Sequence, residues 1–97
     1  MTTKPQFKHT EDLSALSSTF DTEFSAFSVR RLWINLFSKY FSLEKDKDYN
    51  LCVNKEEDGG DERYELNCEF TSPNGKYAFW KLINKKAIQA EIELGLR

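Results

Sequence analysis

Histidine is nearly missing from this chain: among 97 residues, His9 is the only one. It sits in a polar N-terminal stretch with no partner close in sequence, so a solvated surface side chain is expected. A Ser-His-Asp or Cys-His arrangement would have to be assembled on that stretch. Cysteine is scarce too. Cys52 and Cys68 do not make a disulfide framework, and with His9 they are the only soft or nitrogen ligands open to zinc. No Gly-rich loop precedes a helical pattern, so there is no phosphate cradle. Carboxylates abound, but none stands in an apolar surround that would raise its pKa. Catalysis is therefore not expected, and neither is a cofactor or a bound metal. No apolar run approaches the roughly 20 residues needed to cross a bilayer. The start, Met1-Thr2-Thr3-Lys4-Pro5-Gln6, lacks the hydrophobic stretch of a secretory signal. A reducing cytoplasm is the expected location.

Rings and acids are what the chain has. Fourteen residues are aromatic, and large rings bury much area each, so a chain this short can still hold a core. Net charge is only −2, but it is unevenly spread. Between Glu44 and Glu69 ten acids meet four bases, so that stretch carries −6 and the rest +4. Part of the surface is strongly acidic.

Residues 1–9 read as a polar arm and residues 10–97 as a single α+β domain. Thr10 followed by Glu11 and Asp12 predicts a short capped helix with Leu13 and Leu16 inward. From Thr22 to Phe41 the helical signal is strong, with Asp21 as a cap. Ala26, Phe27, Val29, Leu32, Trp33, Ile34, Leu36, Phe37, Tyr40 and Phe41 span a wide apolar arc opposite Ser28, Arg31, Asn35, Ser38 and Lys39. Arg30 falls inside the arc, either snorkelling at its edge or paired with an acid.

The period then changes to two. Tyr49, Leu51 and Val53, then Tyr64, Leu66, Cys68 and Phe70, alternate with polar residues around Gly59-Gly60, a good two-residue hairpin turn. With those glycines as the loop, Val53 faces Leu66, Leu51 faces Cys68 and Tyr49 faces Phe70, which puts the apolar side chains on one face. Cys52 then points away from Cys68. Asn74-Gly75 predicts a second hairpin, joining Phe70 to a strand Lys76-Tyr77-Ala78-Phe79-Trp80. Residues 88–96 alternate as a strand would, although Ile88, Ile92 and Leu96 are also four apart and Ala, Gln and Glu favour helix. The expected architecture is two N-terminal helices packed on a three- or four-stranded antiparallel meander.

The acids of the hairpin are the candidate partner-binding residues: Glu56, Glu57 and Asp58 before the turn, Asp61 and Glu62 after it, then Glu65 and Glu69. In the register above, Glu57 opposes Glu62 and Asp58 opposes Asp61. Opposed like charges destabilise a strand pair by roughly 0.2–1 kcal/mol each, so folding alone does not explain them. Same-face neighbours repeat about every 6.8 Å, twice the strand rise, which is comparable to the spacing of phosphates along one nucleic-acid strand. If residues 88–96 were a strand, Glu91 and Glu93 would add a further row. Asn54 to Glu65 also matches part of a calcium-loop spacing, but it begins with Asn, has Asp61 where an apolar residue belongs, and is flanked by strand patterns.

The size, the acidic hairpin Lys55-Glu56-Glu57-Asp58-Gly59-Gly60-Asp61-Glu62-Arg63 and the aromatic-rich helix resemble small phage-encoded anti-CRISPR proteins, in particular DNA-mimicking inhibition of the type I-F surveillance complex. That resemblance implies a non-catalytic inhibitor that binds the type I-F Cascade, a basic nucleic-acid-binding assembly, and competes with its target DNA. At −2 the mimicry would be local. Two alternatives use other features: a nucleic-acid-binding module built on the basic and aromatic strand Lys76–Lys81, and an immunity protein or antitoxin against a basic nuclease.

Overall fold

The computed structural model describes residues 6–97, the Asp58 side chain excepted. The chain order is β1 (Phe7–His9), β2 (Ala15–Phe20), α1 (Glu23–Phe41), β3 (Tyr49–Asp58), β4 (Asp61–Phe70), α2 (Pro73–Ile83) and α3 (Ala87–Glu93). Four antiparallel strands form one sheet in the order β1-β2-β4-β3. The α+β class stands, but strands come first and most helices follow. The expected pair of N-terminal helices on a meander is therefore wrong.

Three corrections produce that difference. Residues 10–14 form a tight turn in which the Asp12 carboxylate accepts from the Thr10 hydroxyl (2.7 Å), the Ser14 hydroxyl (2.7 Å) and the Ser14 N–H (3.2 Å). Such short polar side chains offer the backbone an alternative to helix. Leu16, Ser18 and Phe20 then point into the core at strand period, and Ser17 and Thr19 point away. Second, Asn74-Gly75 is not a hairpin. Ser72 caps α2, its hydroxyl accepting from the Gly75 N–H at 2.9 Å, and Pro73 occupies the first helical position. Gly75, Ala78, Phe79 and Leu82 are the buried face, at helical spacing. Third, residues 87–93 are helical and end in a Schellman motif: the Leu96 N–H donates to Glu91 O (2.8 Å), the Gly95 N–H to Ile92 O (3.1 Å), and Gly95 has φ +81°.

Two expected elements are present. Helix α1 is capped by Thr22, whose side chain accepts from the Ser25 N–H. It stops where Ser42 turns left-handed (φ 54°). Its buried stripe is narrower than the predicted arc, since Phe27 and Tyr40 are exposed. Arg30 is half-buried and joins no ion pair among the described residues. The β3–β4 hairpin has the predicted register, with Val53 opposite Leu66, Leu51 opposite Cys68 and Tyr49 opposite Phe70. Gly59 (φ +60°) and Gly60 (φ +92°) supply the positive φ that a type I′ turn needs.

All three helices share one core on one side of the sheet. Phe37 lies edge-on to Tyr49 (5.0 Å) and Phe70 (5.5 Å), and Phe70 stacks on Phe79 (4.8 Å). The buried Trp33 indole N–H donates to Leu94 O at 2.9 Å, tying the C-terminal turn to α1. Asp48 anchors α2: its carboxylate accepts from the Glu44 N–H (2.8 Å) and the Ser72 hydroxyl (2.7 Å). Those donors hold its pKa below the ordinary 3.8. Of the nine-residue arm, Phe7–His9 pair with β2 as an edge strand, and the first five residues lie outside the described ones. No described helix is long and apolar enough to cross a membrane.

Candidate partner-binding face

A strand alternates its side chains, so packing every helix on one side leaves the other side of the sheet uncovered by any described element. The residues there are fixed by register. Asn50, Cys52, Asn54 and Glu56 come from β3; Asp61, Arg63, Glu65, Asn67 and Glu69 come from β4; Ser17 and Thr19 come from β2 and Lys8 from β1. Contacts within the surface bear this out. The Asn67 side-chain amide donates to Glu65 Oε1 at 2.7 Å, and the Asn54 amide approaches Cys52 Sγ at 3.7 Å.

The seven candidate acids do not form one cluster. Glu56, Asp61, Glu65 and Glu69 belong to the uncovered face, and among the described residues none of them joins an ion pair. Glu57 and Glu62 belong to the opposite side, beyond the end of the core. There Lys55 bridges both, at 3.8 Å to Glu57 and 3.1 Å to Glu62, and the Tyr64 hydroxyl adds 3.3 Å to Glu62. Lys55 holds the Glu62 carboxyl below its ordinary value, chiefly by that hydrogen bond and by its charge, and is itself raised in return. The opposition of Glu57 and Glu62 is thus relieved by Lys55, in ion pairs that lie at the surface. The Asp58 position opposes Asp61 on the uncovered side, and its side chain lies outside the described residues.

The other acids of the 44–69 stretch are engaged within the fold, as are the two acids of α3. Glu44 pairs with Lys47, Asp46 with Lys45, and Asp48 is buried in its cap. Glu91 and Glu93, expected in a strand row, sit on α3 and pair with Arg97 and Lys85. The partial calcium-loop spacing belongs to a two-residue turn between paired strands, with Glu62 tied to Lys55. Among the described residues, no three His, Cys, Asp or Glu side chains are grouped to hold a metal ion.

The basic and aromatic segment Lys76–Lys81 is helical, not a stacking strand. Phe79 is in the core, while Tyr77 and Trp80 are exposed and stack on each other with centroids 6.0 Å apart. In a strand Tyr77 and Phe79 would share a face, and the helix separates them. Sequence reasoning misses the neutral polar members of the uncovered face, Ser17 and Thr19 above all, because Ser17-Ser18-Thr19 reads as the end of the helix expected from Thr10. Their signal was present: Leu16, Ser18 and Phe20 alternate with them at period two.

Cys52 is exposed on this face and Cys68 is buried on the other, and burial pushes the Cys68 thiol up. Searches against protein-family models, curated proteins and solved structures return no match to this chain.

Proposed function

We propose that the protein is a non-catalytic inhibitor whose uncovered sheet face binds a basic nucleic-acid-binding complex and keeps DNA off it, with the type I-F CRISPR surveillance complex as the partner. The observation that carries this reading is the set Glu56, Asp61, Glu65 and Glu69. All four share one uncovered face with the bases Arg63, opposite Glu56, and Lys8, and among the described residues none of the four joins an ion pair. Four positions along β4, from Glu65 to Glu69, span about 14 Å at the usual strand rise, so the two carboxylates stand where alternate phosphates of one strand would. Asn50, Asn54, Asn67, Ser17 and Thr19, with Cys52 and the bases Arg63 and Lys8, fill the rest, and no large apolar side chain is among them. Carboxylates outside any ion pair speed encounter with a positive groove. Glu57 and Glu62, spent on Lys55, are left out of the contact surface.

The test is a competition. Purified type I-F surveillance complex is loaded with labelled target DNA in the presence of increasing protein. Expected is stoichiometric loss of DNA binding, weakening as salt is raised through the range in which the screening length shortens. Full DNA binding at a large excess of protein would remove the proposed partner. A separate gel shift should show no retention of DNA or RNA by the protein alone, and clear retardation would favour a nucleic-acid-binding module.

A further inference from the structure

A groove of about 610 Å³ opens on the helical layer, remote from the uncovered sheet face. One wall is a single stripe of α1, with Leu32, Asn35, Leu36, Lys39 and Tyr40 at helical spacing. Lys81 from the last turn of α2, Lys85 from the following turn and Glu93 from the end of α3 make the other. Leu32, Leu36 and Phe41 provide its apolar lining. Its volume falls in the range of small-molecule clefts, roughly 300–1,000 Å³, which combine apolar walls with a few polar anchors.

The charges at the rim are unequal in their commitments. Lys85 is already bound to Glu93 at 2.6 Å. Lys39 and Lys81 have no carboxylate partner among the described residues. Each instead lies near a ring, Lys39 at 5.5 Å from the Tyr40 centroid and Lys81 at 5.7 Å from the Tyr77 centroid. Two uncommitted cations beside an apolar lining define the complement: an apolar body ending in one anionic head. The α1 stripe from Leu32 to Tyr40 is about 12 Å long at 1.5 Å per residue, which suits a medium-length chain.

We infer that this groove binds a single-chain carboxylate amphiphile, its tail along Leu32, Leu36 and Phe41 and its carboxylate between Lys39 and Lys81. The site is independent of the partner-binding face, so failure of either leaves the other standing.

Dodecanoate, kept below its micelle concentration, is the probe, with binding followed by titration calorimetry and by methyl chemical shifts. Saturable binding is expected, with the shifts centred on Leu32 and Leu36. K39M and K81M, which keep an unbranched apolar stem, should each weaken dodecanoate about tenfold by removing a charged hydrogen-bond donor. Neither should change the affinity for dodecanol. N35W, at an exposed groove position, should abolish binding of both probes with little effect on Tm. No saturable dodecanoate binding would overturn the inference. So would equal affinity for dodecyltrimethylammonium, or lysine variants that bind dodecanoate as well as the parent. Binding of an acidic peptide in the groove without dodecanoate binding would also overturn it, and would assign the groove to a protein partner.

Discussion

Replacing Gly75 by alanine probes the contact on which α2 is seated. Gly75 is buried in the first turn of α2 at an ordinary backbone φ, and a Cβ placed there would lie 2.5 Å from the carbonyl oxygen of Asp48 and 3.3 Å from Phe70 Cδ1. The first distance is nearly an ångström inside van der Waals contact, and it is to backbone, which cannot swing aside. The helix start must therefore retreat from the 44–48 turn. That strains a core which resists overpacking by about 1–3 kcal/mol. It also loosens the Thr71 N–H bond to Asp48 O (3.0 Å), worth roughly 0.5–1.5 kcal/mol. Alanine's better helix propensity returns at most about 1 kcal/mol. The net expectation is a loss of about 2 kcal/mol, against a total of roughly 5–15 kcal/mol for a domain of this kind. In a chain of this size that lowers Tm by about 8–16 °C. Urea denaturation should show a lower midpoint with an unchanged m value. The same change at Gly59, where nothing lies within 4 Å of the added methyl, should cost only the left-handed strain of about 1 kcal/mol. A neutral or stabilising G75A would refute the reasoning and unseat α2 from the Asp48 turn.

Further outcomes are equally concrete. A thiol reagent should modify one cysteine of the native protein quickly, the exposed Cys52, and reach the buried Cys68 only on denaturation; two fast equivalents would contradict the register. Stability should fall in acid as Asp12, held at about 2 by the Ser14 and Thr10 hydroxyls, and Asp48, held down by the Glu44 N–H and Ser72, become protonated. Both are lowered in the folded state, so their contribution is full above the ordinary 3.8 and fades as pH falls below it, for Asp12 through about 2. Urea midpoints for D12N and D48N should therefore change less between pH 5 and pH 2 than the parent's. W33F removes the donor to the Leu94 carbonyl and should cost about 1–3 kcal/mol, read as a Tm drop; an unchanged Tm would separate the C-terminal turn from α1.

How much of this was legible depended on which signal was unopposed. The β3–β4 hairpin was readable because alternation, turn glycines and register agree. Helix α1 was readable because nineteen residues give several repeats of its period. The segment Ser72–Leu82 carried two competing messages. Asn-Gly is a strong hairpin signal, but Ser72-Pro73 is a helix start, and Gly75, Ala78, Phe79 and Leu82 are spaced as a helix buries them. The cap and period prevailed because the Gly75 contact needs a residue without a Cβ. In residues 88–96 the visible alternation of Ile88 and Ile92 described the exposed side, while Ala90 and Leu94, four apart, are the buried ones. For the candidate site, parity puts Glu65 and Glu69 together, but the expectation counts Glu57 and Glu62 with them although the same parity sends those two to the other side. The reach of Lys55 to Glu62 was not visible, since its direct cross-strand partner is Tyr64.

In the proposed reading, four carboxylates on one sheet face carry binding and two on the other do not. It is tested by measuring the protein's affinity for the proposed partner, the type I-F surveillance complex, with two variants that each remove acids from one side of the sheet only. E56Q/D61N/E65Q/E69Q should fold with parental Tm or better and weaken binding by about tenfold or more, within the range electrostatic steering spans. E57Q/E62Q, which removes acids already committed to Lys55, should bind like the parent. Equal losses from both variants, or a loss confined to E57Q/E62Q, would contradict the account.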